Sequence, residues 1–387
     1  MNTEWLDSLE QVPPAEWNAL VGDYPFLRHE FLFALEQHGC IGAATGWLPR
    51  YLLLRDPDDG AIAGALPSFV KLNSWGEFVF DFAWADAYAR HGLRYYPKLV
   101  AAAPYTPARG PRLLVAPGRD PARTAARLVT AARTGAREHR WSSIHWLFPL
   151  PHELDWLQAD DLLLRSDIQY HWRNGGYRGF DDFLEALSSR KRKKIRRERR
   201  RTAEQGITLS RHRGDELDAR QWRLAHHFYA STFEKKWNVP VLTQAFFEQL
   251  GATMGEQLLV VFAHHGGREV AASILFRGGD TLYGRYWGCE HDYHSLHFEA
   301  CYYQGIEYAI EQGLDRFEPG AQGEHKIARG FLPERTHSVH WIGQPDFRRA
   351  IADYLARERR LVDLRFEELR SWSPYRQAAD EYDRCSP

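Results

Sequence analysis

Across residues 26–38 the apolar positions recur near helical spacing: Phe26 and Phe33, and Leu27 and Leu35, share a face, which predicts a helix. The period then changes. RYLLLRDPDDGAIAGALPSFV holds two apolar runs around Asp58-Asp59-Gly60, a hairpin signal. The Pro- and aromatic-rich stretch 95–111 predicts a long ordered loop. Pro121 opens a helix that runs to His139, and SSIHWLFPL after it predicts a strand.

The same order returns later. QLLVVFAHHGGREVAASILFR is again two apolar runs around a turn, Gly266-Gly267, and TLYGRYWGC predicts a third strand. HFEACYYQGIEYAIEQGL predicts a helix stopped by Gly313, and DRFEPG the strand after it. Meander, helix and strand thus occur twice, roughly 180–200 residues apart. Between them FDDFLEALSSRKRKKIRRERRRTAEQGITL predicts helix, break and helix, with Ser188 or Ser189 as N-cap. A polar helix rich in Arg and Glu is expected over 346–368. This pattern predicts an α/β (α+β) chain with mixed sheets flanked by helices, divided into halves 1–175 and 176–387. A single large α+β domain is the competing architecture.

Composition adds one thing the pattern does not. Lys plus Arg number 50 and Asp plus Glu 51, for a net charge of -1. Yet residues 190–201 hold ten bases and a single acid, Glu198, a strip of +9 on a body of -10. A helix there carries charge on every face, with Ile195 its lone apolar residue. Three readings stand for it: a solvated surface helix, a site for a phosphate-bearing substrate or tRNA, and a patch for a peripheral anionic membrane. At 44% hydrophobic and 14% aromatic, the chain does not have the composition of a disordered one. No apolar run reaches the length of a membrane span, and the N-terminus has no signal-peptide pattern. Four scattered cysteines without a CxxC form neither a disulfide framework nor a zinc ribbon, so a cytoplasmic setting is expected.

GxGxxG, GxxxxGK[ST], GxSxG and HExxH are all missing, which argues against Rossmann cofactors, P-loop NTPases, α/β-type serine hydrolases and common zinc proteases. His291, His294 and His297 lie three apart but drift around a helix with no acidic cluster nearby, so no metal is expected. Their loop opens a helix whose free N–H groups suit an anion. FEPGAQGEHKIARGF is denser in chemistry: a strand ends at Glu318, Pro319 and Gly320 break it, and Glu324, His325, Lys326 and Arg329 follow. That is the usual place for a site on an α/β scaffold, against the plainer reading of a solvated loop. FYASTFEKKWNVPVLTQAFF, with Lys235, Lys236 and Trp237, is either an acceptor groove or a helix face packing on the core.

LSSRKRKKIRRERRRTAEQGITL resembles the helix entering the second half of Fem-type peptidoglycan aminoacyltransferases. VAASILF, TLYGRYWGC, YYQGIEYAIEQGLDRFEPG and HKIARGF resemble their second GNAT-type domain. PFLRHEFLFALEQHG, WADAYARHGLRYYPKLVAAAPYTPARGPRLL, KKW and FEPGAQGEHKIARGFLP look like the FemAB-like family of predicted N-acyltransferases. The resemblance covers nearly the whole chain. It implies tandem GNAT-type acyltransferase domains, in which two parallel strands splay to admit the acyl donor. By position, the strand through Tyr286-Trp287-Gly288 and the strand ending at Glu318 bracket that gap. The R/QxxGxG/A loop of acetyltransferases is absent; HDYHSLHFE stands there.

The resemblance therefore implies acyl or aminoacyl transfer to an amine by direct attack, with acyl-CoA or aminoacyl-tRNA as co-substrate. Glu318 or His325 is the expected base, and Lys326 or a backbone N–H at the split strands the oxyanion partner. Tyr286, Trp287, His294, Ser295 and His297 are expected around the donor. Arg190, Arg192, Lys193, Arg196, Arg197, Lys235, Lys236, Trp237 and Arg329 are expected around phosphates or a small acceptor. The alternative is a non-catalytic module, or a peripheral membrane protein, that uses the basic helix 188–205 to bind RNA or anionic lipid.

Overall fold

The computed structural model describes residues 1–159, 161–234, 239–321 and 323–376. Nine strands precede residue 175: β1 (Asn2–Leu6), β2 (Trp47–Pro49), β3 (Tyr51–Arg55), β4 (Ile62–Leu66), β5 (Ser68–Lys71), β6 (Lys98–Ala101), β7 (Leu114–Val115), β8 (Ser143–Leu147) and β9 (Leu162–Arg173). Six follow: β10 (Ile207–Arg213), β11 (Leu258–His265), β12 (Arg268–Gly278), β13 (Thr281–Cys289), β14 (Arg316–Glu318) and β15 (Leu332–Ile342). Among the described residues they form a four-stranded sheet, β1-β3-β4-β7, and an eleven-stranded one, β10-β11-β12-β13-β14-β9-β15-β8-β6-β5-β2.

Both predicted hairpins form. β3 pairs with β4 around the Asp58–Gly60 turn, and β11 with β12 around Gly266 and Gly267, both glycines at left-handed φ. The helix Pro121–Glu138 starts where Asp120 accepts a hydrogen bond from the Arg123 N–H at 3.0 Å, a cap that contributes about 1 kcal/mol. It buries Leu128, Val129, Ala132 and Ala136 at helical spacing against the sheet.

Two segments differ from the pattern-based expectation. The stretch 95–111 is not all loop: Lys98–Ala101 is a buried strand between β5 and β8, its four residues too few to show a period. β9 and β15 carry no turn-bounded signal of their own, yet they pair antiparallel from Leu162↔Trp341 to His171↔Leu332 and form the centre of the large sheet.

The strand order is the same on both sides of that centre. β5, β6 and β8 run antiparallel then parallel, as do β12, β13 and β14. β9 follows β8 in sequence but lies beside β14, whereas β15 follows β14 and lies beside β8. Each half thus ends in a strand that pairs with the other half, and the terminal helix Pro345–Arg370 packs over both.

Candidate active site

β13 and β14 are paired in parallel over only three residues, the last being Tyr283 opposite Glu318. β13 continues to Cys289 on the far edge, held by β12, while β14 stops. The stop is local chemistry. Pro319 has no N–H to donate, and Gly320 at φ +88° turns the chain away. The strands therefore part at Glu318. On the opened edge, Thr232 of the helix Ala219–Glu234 donates to the Trp287 carbonyl at 2.6 Å. Gly288 lets that helix approach so closely that an added Cβ would meet the Phe228 carbonyl oxygen at 1.6 Å.

A cleft of about 710 Å³ opens at this parting. One wall is β13 (Arg285, Tyr286, Trp287) with Gly320 and Ala321; the other comes from the first half through Trp75, Phe78, Tyr105 and Phe148. Glu318 itself lines a separate small cavity of about 10 Å³ whose lining shares Pro107, Gln169, Arg285 and Gly320 with the cleft.

Glu318 is buried, and its Oε2 has no hydrogen-bond partner. Its Oε1 lies 3.9 Å from both Arg109 Nε and His171 Nδ1. Below it, Glu334 accepts from Arg109 and from Arg173 Nε at 2.8 Å. Burial pushes the Glu334 carboxyl up, but His171 and the charges of Arg109 and Arg173 outweigh that and hold it well below the usual range. Glu318 Oε2 is one of fifteen buried side-chain atoms without a protein partner among the described residues, and the one on a carboxylate at the strand parting. Arg285 donates to the Tyr105 carbonyl and covers the Tyr286 ring at 5.2 Å. The Tyr286 hydroxyl is also unpartnered.

The other expected residues divide between two places. Tyr286 and Trp287 line the cleft. Lys326 does not: it is buried, donates to the carbonyls of Gly320 at 2.8 Å and Ala321 at 3.4 Å, and so braces the cleft-lining turn from behind. Burial lowers its pKa to about 7. His297 packs against Trp287 and is pushed down to about 4, first by burial and then by His325, Lys326 and Arg329. His325 is outside the cleft, its Nε2 3.1 Å from the Tyr302 hydroxyl; burial, then Arg329, Lys326 and Lys194, lower its pKa. His294 and Ser295 are exposed, joined to each other at 2.7 Å, with His294 Nε2 3.4 Å from Arg201.

The basic strip is one helix, Ser189–Glu204, and it has an inner face: Ile195, Glu198 and Thr202 are buried. Much of its charge is neutralised locally. Arg192 pairs with Glu185 at 2.8 Å, Arg196 with Asp181 at 3.4 Å, and Arg199 with Glu299 at 3.1 Å and Glu307 at 3.0 Å. Arg329 is buried beneath it, 2.8 Å from Glu198 and stacked on Phe298 at 3.4 Å, so its charge is spent inside the fold. Arg190, Lys191, Lys193 and Arg197 have no acidic partner among the described residues; with Lys194, Arg196 and Arg200 they line an open basic groove. Lys235, Lys236 and Trp237 lie outside the described residues.

The cleft's first-half wall, together with Arg109, Gln169, His171 and Glu334, was not singled out by sequence pattern. The segment holding Tyr105 and Arg109 carries the one available signal, an aromatic, Pro-rich run with a lone Arg. No group of His, Cys, Asp and Glu suited to a metal occurs among the described residues.

The parting of the parallel pair β13–β14 inside a mixed α/β fold is the arrangement that the sequence resemblance implied. The family assignment follows. Residues 8–377 match the FemAB-like model, described as peptidoglycan biosynthesis/recognition, and the chain belongs to that family. It is an acyl- or aminoacyltransferase. The crystal structure of FemX is similar at a TM-score of 0.55 and 12% identity, over 91% of this chain and 100% of that one. A conserved protein of unknown function from Bacteroides thetaiotaomicron VPI-5482 follows at 0.51 and 10%, over 88% and 99%. At these identities the likeness is one of fold. No curated protein matches the sequence. No helix among the described residues is long and apolar enough to cross a membrane.

Proposed function

We propose that this chain transfers an acyl or aminoacyl group to the amine of a small or phosphate-bearing acceptor in the cleft at the β13–β14 parting. The observation that carries the reading is the unpartnered Oε2 of buried Glu318 at that point. The neutral amine attacks the acyl carbon directly. The C–N bond forms, the bond to the thiol or hydroxyl leaving group breaks, Glu318 takes the amine proton, and that proton passes on to the leaving group, which restores the carboxylate. Positioning supplies most of the rest, since a neutral amine is already a competent nucleophile. Lys326 acts as a positioning residue through Gly320 and Ala321. Phosphates of an acyl-CoA or aminoacyl-tRNA donor, or of the acceptor, lie along Arg190, Lys193 and Arg197, with Arg192 and Arg196 shared with acids. The halves divide, on this reading, at 175/176.

Transfer from an acyl-CoA and from a charged tRNA to a panel of amines, comparing wild type with Glu318→Gln, tests this. A fall in kcat of at least about 100-fold at unchanged melting temperature is expected. Wild-type turnover by the variant overturns the role of Glu318.

A further inference from the structure

The cleft of about 710 Å³ is lined largely by apolar side chains. Its walls include Tyr105, Phe148, Phe233, Leu242, Tyr286 and Trp287. The polar side chains on them are mostly engaged: Thr232 with the Trp287 carbonyl, Gln169 with the Pro107 carbonyl at 2.8 Å, and Asp167 with the Ile168 N–H at 2.7 Å. Arg285, whose Nε is unpartnered, lines both the cleft and the small cavity that holds the unpartnered Glu318 oxygen.

The backbone is strained to build this wall. Among the described residues five non-glycines have positive φ, and three are cleft aromatics: Phe78 at +59°, Tyr105 at +55° and Phe148 at +54°. Bulky residues rarely adopt that conformation, and it persists where the surrounding structure enforces it, above all at ligand sites. The mouth is held in a comparable way. Lys98, fully buried, donates to Glu77 at 2.8 Å and to Asp81, pinning from inside a loop that leaves Trp75 71% and Phe80 53% exposed. Val239, 82% exposed, also belongs to the cleft lining. Apolar walls that continue into a fixed, exposed apolar rim suit a ligand that extends from inside the cleft to its surface.

We infer that the cleft takes a substrate carrying an extended aliphatic chain, its polar reacting end at Glu318 and its tail running out past Trp75. This rests on the cleft being the site of transfer. The chain belongs either to the acyl group or to the amine, and both present the same surface to these walls.

Binding is measured by isothermal titration below micelle-forming concentrations, with acyl-CoAs from acetyl to dodecanoyl and, separately, with n-alkylamines of the same lengths. Affinity is expected to rise by up to about fourfold per added CH₂ in at least one series, until the cleft is filled. The series that shows the rise identifies the partner bearing the chain. Trp75→Ser, at an exposed position, and Phe233→Ser are expected to flatten the rise for the longer members only. Affinity independent of length in both series, or a rise unchanged in both variants, overturns the inference. Glu318→Gln keeps the walls, so the two readings separate. A length-dependent rise with a fully active Glu318→Gln overturns the transfer site alone; a flat series with an inactive Glu318→Gln overturns the chain alone.

Discussion

Arg109 Nε lies 3.9 Å from Glu318 Oε1, placing a cation from the first half beside the carboxylate that ends β14. The same guanidinium pairs with Glu334 on β15 and lies 3.0 Å from His171 Nδ1 on β9. The base proposed for transfer is therefore held by residues from both halves.

Removing Arg109 should destabilise the fold as well as the site. Arg109→Ala leaves buried Glu318 and half-buried Glu334 with less compensating charge, although Arg173 still pairs with Glu334, so a cost of about 1–3 kcal/mol is expected. Urea unfolding of Arg109→Ala, Glu334→Ala and the double variant checks this. The double is expected to cost clearly less than the two singles added, because they share one interaction; strict additivity contradicts the coupling.

Lys326 gives a pH dependence with a definite sign. Its folded pKa is about 7, against roughly 10.4 unfolded. Between these values the unfolded chain holds a proton that the folded chain has lost, so this group makes stability rise with pH. Its cost is full below pH 7. Lys326→Met should therefore raise the melting temperature relative to wild type most at pH 6, with the difference shrinking towards pH 9. A difference constant across that range contradicts a neutral buried amine. His297, folded near 4, acts with the same sign between about pH 4 and 6.5.

Lys98 should decide whether the cleft mouth stays ordered. Burial pushes Glu77 up to about 7 despite Lys98 beside it; burial also opposes ionisation of Asp81, but Lys98 outweighs it and holds that carboxyl down. Lys98→Met leaves both acids unpaired, at a cost of about 3–5 kcal/mol. Limited proteolysis is expected to cut within residues 72–82 of the variant and not of wild type. Adding Glu77→Gln and Asp81→Asn should restore part of the stability.

The basic helix should separate into binding and structural positions. Reversing Arg190, Lys193 and Arg197 to Glu is expected to leave stability within about 0.5 kcal/mol per site, because they are unpaired and on the surface. The same change should lower the slope of log affinity against log salt by about 2–3 for a tRNA probe. Arg199→Ala should do the reverse, lowering stability through the loss of its links to Glu299 and Glu307 with little change in salt slope. Equal salt slopes for wild type and the triple variant would remove the groove from binding.

The sequence by itself determined the local elements: the turns at Gly60 and Gly266-Gly267, the capped helix from Pro121, the charged helix and the break after Glu318. Each is written in spacing, caps or backbone chemistry within a few residues. It also placed a strand end at Glu318, where Pro-Gly must stop the strand, whereas Tyr286 and Trp287 were expected only through the family resemblance. What it could not show is which strands meet across long separations. β9 and β15 pair 170 residues apart at Asp167↔Thr336-type positions, and no local period records a partner. That exchange joins the halves, and tertiary packing also sets Arg109 beside Glu318 and buries Arg329 under Glu198 instead of leaving it for phosphate. Local pattern fixes which face of an element is apolar; only packing decides what that face meets, because burial and charge pairing are properties of the assembled chain.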